Sequence, residues 1–104
     1  MIVEQRTYTL YPGKVPQYLE IYRRDVYDLQ VRTLGNMVGY FTTEMGTLNQ
    51  IVHMWSYDDL EDRRKRRERL FADPQWIAFL EKVLPLIVKM ENQILVPTSF
   101  SPVR

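Results

Sequence analysis

The 104-residue chain has no cysteine and only one histidine. The first absence removes disulfides, thiolate metal sites and cysteine nucleophiles, and it suits a reducing, cytoplasmic setting. The second leaves His53 without the companion histidines or cysteines from which a zinc site takes its three or four ligands, so neither a metal nor a cofactor is expected. No apolar run is long enough to span a bilayer. The opening "MIVEQRTYTL" alternates polar and apolar residues where a signal peptide has a basic stretch followed by an apolar one, so no membrane role is expected. Nor is there an excess of one charge: 14 basic residues face 13 acidic ones, for a net charge of +1. That balance does not supply the domain-wide positive field of a nucleic-acid binder.

What the chain does have is 45% hydrophobic and 12% aromatic residues, a globular composition. Its length fits one domain, residues 1–104, with 98–104 as an exposed tail. Residues 2–10 are rich in β-branched and aromatic types and precede the turn signal "YPG", which predicts a strand. Pro16 suits a first helical position. Tyr18, Leu19, Tyr22, Val26 and Leu29 then recur at spacings of three and four until Gly35, predicting one amphipathic helix with a glycine stop. Two strand-like runs, "NMVGYFTTEM" and "QIVHMWSY", flank "GTLN" and predict a hairpin. Asp58 and Glu61 have the spacing of a capping box for a helix to about Phe71. Asp73 and Pro74 restart a further helix, with Ile77, Leu80, Val83, Leu84 and Ile87 as its buried stripe, and Pro85 kinks or ends it. "VKMENQILV" predicts a last strand, closed by Pro97.

The resulting order, βαββαβ with the second helix broken in two, is the ferredoxin-like α+β plan: a four-stranded antiparallel sheet with its helices on one face. A hairpin closed symmetrically about "GTLN" pairs Tyr40 with Trp55, Thr42 with His53 and Val38 with Tyr57 on one face. Phe41, Met54, Thr43 and Val52 then take the other. Both faces are largely apolar, whereas a sheet with one wet face alternates apolar and polar residues, so the second face needs a cover. A second copy of the sheet is the simplest one, giving a homodimeric α/β barrel.

"EQRTYTLYPGK" at the start, "LGNMVGYFTTEMGTLNQIVHMWSYDDLEDR" in the middle and "SFSP" near the end resemble the NIPSNAP family over nearly the whole chain. The middle segment is the most specific, a long match of turn residues, aromatics and one histidine in fixed order. The resemblance implies a dimeric α/β barrel of ferredoxin-like protomers and brings no established reaction. Animal members are mitochondrial proteins with adaptor-like roles. This chain, one short domain without a transit segment, looks like a bacterial stand-alone form, and the adaptor role is not carried over.

Two constellations bear on chemistry. His53 lies mid-strand, and imidazole is the side chain whose usual pKa permits acid–base work near neutrality, which makes it the candidate catalytic residue; the competing reading is a structural histidine satisfied by neighbours such as Thr42. Glu4, Arg6 and Tyr8 alternate onto one face of the first strand and present a carboxylate, a guanidinium and a phenol together. If Tyr40, His53 and Trp55 share that face, the six form a polar cluster in an apolar cleft, the composition of a small-molecule site.

The run "RRKRRER", Arg63 to Arg69, holds six basic residues in seven. Between Asp58 and Arg69, five acids offset those six bases. Asp59 with Arg63, Glu61 with Lys65 and Asp62 with Arg66 stand four apart with the acid first, the favourable order on a helix. The run therefore reads as a self-supporting solvated helix with no nucleic-acid role. Arg63, Arg64 and Arg67 also fall on the stripe of Leu60 and Phe71, and one or two of them can lean toward the sheet with their stems on apolar surface. Two functions follow: a homodimeric domain that binds a small ligand or a protein partner without an assigned reaction, or a cofactorless enzyme moving a proton on an aromatic or quinone-like substrate.

Overall fold

The computed structural model describes residues 1–104. Strand β1 (Ile2–Leu10) leads into helices α1 (Val15–Asp25) and α2 (Tyr27–Leu34), strands β2 (Asn36–Thr42) and β3 (Gln50–Tyr57), and helices α3 (Leu60–Phe71) and α4 (Pro74–Val83). A 3₁₀ turn at Leu84–Leu86 then precedes strand β4 (Ile87–Leu95). The strands pair antiparallel in the order β2-β3-β1-β4, the predicted ferredoxin-like arrangement. No helix is long and apolar enough to cross a membrane.

The core lies between the sheet and the helices. Tyr8, Leu10, Ile51, Trp55 and Tyr57 from the strands pack against Tyr18, Tyr22, Val26, Leu29, Leu34, Leu70, Trp76, Phe79 and Val83. Four local features differ from the sequence expectation. The first helix breaks at Val26, whose backbone (φ −137°, ψ 1°) leaves the helical region while its side chain stays buried. The spacing of Tyr22, Val26 and Leu29 runs on across that break, so periodicity does not register it. What holds the break is tertiary: the Asp25 carbonyl accepts from the Gln75 side chain, and its carboxylate pairs with Lys82 at 2.8 Å.

The cap of α3 sits one residue later than the Asp58/Glu61 pattern. Asp59 accepts from the Asp62 N–H at 2.8 Å, and Asp62 reaches back to the Asp58 N–H at 3.0 Å. On α4, Asp73 caps as expected and Pro85 ends the helix, but the buried residues are Trp76, Phe79 and Val83, while Ile77 and Leu84 are each 46% exposed. The larger aromatic rings take the core side, Phe79 against Tyr18 and Tyr22 and Trp76 against Phe79.

In the hairpin, Tyr40 pairs with His53 and Thr42 with Ile51, two residues off the expected register, because the loop is longer and closes through Asn49 at φ 61°. A slip of two preserves the faces, since side chains alternate with period two. Val38 is the exception. A bulge between Met37 and Gly39 turns it away from Tyr57, and Met37 takes the core side opposite Trp55. Val38 instead joins Val3, Met54, Leu95 and Val96 around an apolar groove of about 250 Å³ on the helix-free face. Ser101 and Val103 line the groove as well, and the last residues are otherwise exposed, Phe100 by 84%.

Candidate functional site

The period of β1 turns Glu4, Arg6 and Tyr8 toward the helices, and strand register selects their neighbours. Arg6 lies opposite His53 on one side and Asn92 on the other, and His53 lies opposite Tyr40. One row, Asn92, Arg6, His53 and Tyr40, therefore crosses all four strands. The adjacent row is Ile94, Glu4, Trp55 and Met37. The structure thus gathers Glu4, Arg6, Tyr8, Tyr40, His53 and Trp55 on the helix side of the sheet.

Glu4 is fully buried, and one of its oxygens does nearly all its bonding. Oε2 accepts from Arg63 Nη2 at 2.7 Å, Asn92 Nδ2 at 2.9 Å and Arg6 Nη1 at 3.1 Å, while Oε1 has no partner. Burial alone raises a carboxyl pKa, but the donors Arg63 and Asn92 and the charges of Arg6 and Arg63 outweigh it and hold Glu4 at about 2. Arg6 is fixed from its other end by the Tyr8 hydroxyl, which accepts from Nε at 2.8 Å.

His53 is buried in an aromatic frame. Tyr40 stacks on the imidazole at 4.7 Å, Tyr22 stacks on Tyr40 at 4.8 Å, and Tyr8 meets the imidazole edge-on at 5.0 Å. Trp55 Nε1 lies 2.7 Å from His53 Nδ1. An indole N–H can only donate, so Nδ1 is the acceptor and the proton of the neutral ring sits on Nε2. Trp55, not Thr42, is therefore the neighbour that satisfies the ring, and Nε2–H is buried with no acceptor. Burial, then the positive charge of Arg6, lowers the His53 pKa to about 3. At neutral pH, His53 is a hydrogen-bond donor aimed from an apolar frame and holds no free basic nitrogen.

Helix α3 divides its basic residues by face. Arg64 turns outward to Glu61 (2.8 Å) and Glu68 (2.7 Å), and Arg66 pairs with Asp62 at 2.9 Å. Asp59 is occupied as the cap and Arg63 points inward to Glu4, while Glu61 is taken by Arg64, so the expected Asp59–Arg63 and Glu61–Lys65 pairs do not form. Arg67, one turn beyond Arg63 on the same face, lies over the Phe71 ring at 5.1 Å and has no carboxylate partner. Burial, then repulsion from Arg6 and Arg63, lowers its pKa. Tyr57 lies by the same charges, and burial followed by the Glu4 charge pushes its phenol up to about 12.

Sequence reasoning left out Asn92 and Tyr57 and reached Arg63 and Arg67 only as an open question of orientation. The alternation in "VKMENQILV" carries the signal for Asn92, a lone polar residue between Met90 and Ile94 on one face. Six buried side-chain atoms have no hydrogen-bond partner: Glu4 Oε1, Tyr40 Oη, His53 Nε2, Tyr57 Oη, Arg63 Nε and Trp76 Nε1. All but Trp76 belong to this cluster.

The NIPSNAP family profile matches residues 3–102, from before Glu4 to beyond Asn92. The chain belongs to the NIPSNAP family. A NIPSNAP family protein with unknown function from Agrobacterium tumefaciens superposes with a TM-score of 0.97 at 45% identity, over 100% of this chain and 94% of that one. A NIPSNAP-like domain protein from Burkholderia xenovorans is 46% identical with a TM-score of 0.94, over 97% and 88% of the two chains. Protein NipSnap homolog 1 of Danio rerio is 32% identical over 103 residues, 99% of this chain and 36% of that protein. The chain thus spans about a third of that longer NIPSNAP relative. An antibiotic biosynthesis monooxygenase shares the fold alone, at 11% identity and a TM-score of 0.65 over 94% and 99% of the two chains.

Proposed function

We propose that this NIPSNAP domain is a homodimer that binds a small polar molecule between sheet and helices, at Glu4, Arg6, Tyr8, Tyr40, His53 and Trp55, with no assigned reaction. The observation that carries this reading is the set of five unpartnered buried atoms on the cluster. Leaving a buried polar group unsatisfied costs about 1–3 kcal/mol, and the His53 Nε2–H and the Tyr57 hydroxyl stand in that position, while Glu4 and Arg63 are bonded through their other atoms. A bound molecule that meets them removes that penalty. The homodimer is supported by the helix-free face, where Phe41 is 54% exposed beside the groove of Val3, Val38 and Met54. The cysteine-free composition agrees with a cytoplasmic setting.

The cofactorless-enzyme reading draws support from the aromatic stack and the His53 donor. The Nε2–H can polarise a carbonyl or phenolate oxygen on an aromatic or quinone-like substrate. Under this reading His53 stabilises negative charge on substrate oxygen and does not abstract a proton.

The test is ligand-observed NMR of the full chain against small polar aromatics, with Tyr40→Phe as the comparison. The change removes one hydroxyl and keeps the stacked ring, so the variant should fold yet lose affinity for the compounds that bind. Equal binding by parent and variant, or binding abolished only by changes at Val3 or Met54, overturns the reading.

A further inference from the structure

We propose that the ligand presents a carboxylate or phosphate group, and that Arg67 receives it with Arg63 and Arg6 behind. This rests on the ligand-binding reading above and adds the chemical class. Three guanidinium groups, of Arg6, Arg63 and Arg67, surround one carboxylate, Glu4, whose Oε2 already takes Arg6, Arg63 and Asn92. The remaining groups that face the cluster, from strands β1, β3 and β4, are Tyr8, His53, Tyr57 and Asn92, and all of these are neutral. The nearby acids of α3 are engaged elsewhere: Asp59 in the cap, Asp62 with Arg66, Glu61 and Glu68 with Arg64. The cluster is therefore two positive charges in excess, and Arg67 is the member with no anion.

A solvated arginine in that position is unremarkable on a free helix face; here it stands one turn from a guanidinium bonded into the sheet, and its charge is opposed by those of Arg6 and Arg63. Carboxylate and phosphate oxygens match the planar fork of arginine and neutralise such an excess. Access is from β4. Asn92 is exposed although the carboxylate it bonds is fully buried, and on either side of it on the same face Met90 and Ile94 are 44% and 40% exposed. A small molecule approaching there can rest an apolar body on Met90 and Ile94 while its anionic end reaches Arg67 and Arg63.

The experiment is a ¹H–¹⁵N NMR titration of the full chain at fixed ionic strength with benzoate (charge and ring), inorganic phosphate (charge alone) and phenol (ring alone), and chloride as the control. The expected result is saturable shifts of the Trp55 indole N–H and of the Arg63–Arg67 amides with benzoate or phosphate, weakened about tenfold or more in Arg67→Gln. Benzoate without phosphate assigns a carboxylate, and both together a general oxyanion. Saturable shifts from phenol without any from the anions overturn the anionic class while leaving a ligand site intact. No shift from any of the three overturns the ligand site as well. Arg67 makes no ion pair, so Arg67→Gln should keep the parent spectrum elsewhere; should it fail to fold, Arg67→Lys, which keeps the charge and loses the planar fork, makes the comparison. Undiminished affinity in the folded variant overturns the assignment to Arg67.

Discussion

Glu4 and His53 make opposite bargains with burial. Glu4 stays ionised because donors converge on it, whereas His53 stays neutral because burial and the charge of Arg6 outweigh the pull of Glu4. Both choices make the fold acid-sensitive, in different windows. The folded His53 pKa of about 3 lies below its usual 6.5, so the unfolded chain takes up a proton first and stability falls as pH drops from 6.5 toward 3. The Glu4 contribution is whole above about 4.5 and is lost as pH falls toward 2. Between pH 7 and pH 5 only His53 acts, and the expected loss is about 2 kcal/mol. Urea unfolding across that range should show this slope in the parent and a flat profile in His53→Asn. At the other residue, Glu4→Gln leaves Arg6 and Arg63 without their counter-charge and should lower stability by about 3 kcal/mol. Arg64→Ala, which breaks only exposed pairs, should leave the urea midpoint where it is.

At the scale of elements, the rules that repeat along the chain were legible and those that depend on distant contacts were not. Alternation in β1 identified Glu4, Arg6 and Tyr8 as one face, and the order of elements gave the sheet. The break at Val26 left no trace in the spacing because Gln75 and Lys82, fifty residues or more away, hold it. The bulge at Val38 moved one side chain between faces, and the choice of Trp76 and Phe79 over Ile77 was made by packing against α1. The cap of α3 was misread by a single residue, since Asp58 and Asp59 both precede an acid three positions on. Asp59→Ala should cost about 1 kcal/mol in thermal unfolding, and Asp58→Ala less, because only Asp59 accepts from the helix N-terminus through its side chain. Within the site, Asn92 escaped notice and the direction of Arg67 stayed open, because their part depends on which strand lies beside β1 and which way α3 rolls.

At the scale of the whole molecule, the two faces of the sheet have different chemistries. The helix side gathers charge, aromatic rings and unpartnered polar atoms. The free side offers Phe41, Val38, Met54 and a groove that Ser101 and Val103 help to line. We assign the first to a ligand and the second to a second copy of the chain. Sedimentation equilibrium of the parent should give the dimer mass, and Phe41→Lys combined with Met54→Lys, which sets charge into the free face, should give the monomer mass with the helical spectrum unchanged. The most direct test is a crystal structure of the full chain with benzoate. The expected result is benzoate on the helix side, its carboxylate within hydrogen-bonding distance of Arg67 and its ring over Met90 or Ile94. Benzoate in the groove between Val3 and Met54, or Glu4, His53 and Tyr57 satisfied by one another with no room for a ligand, would contradict it.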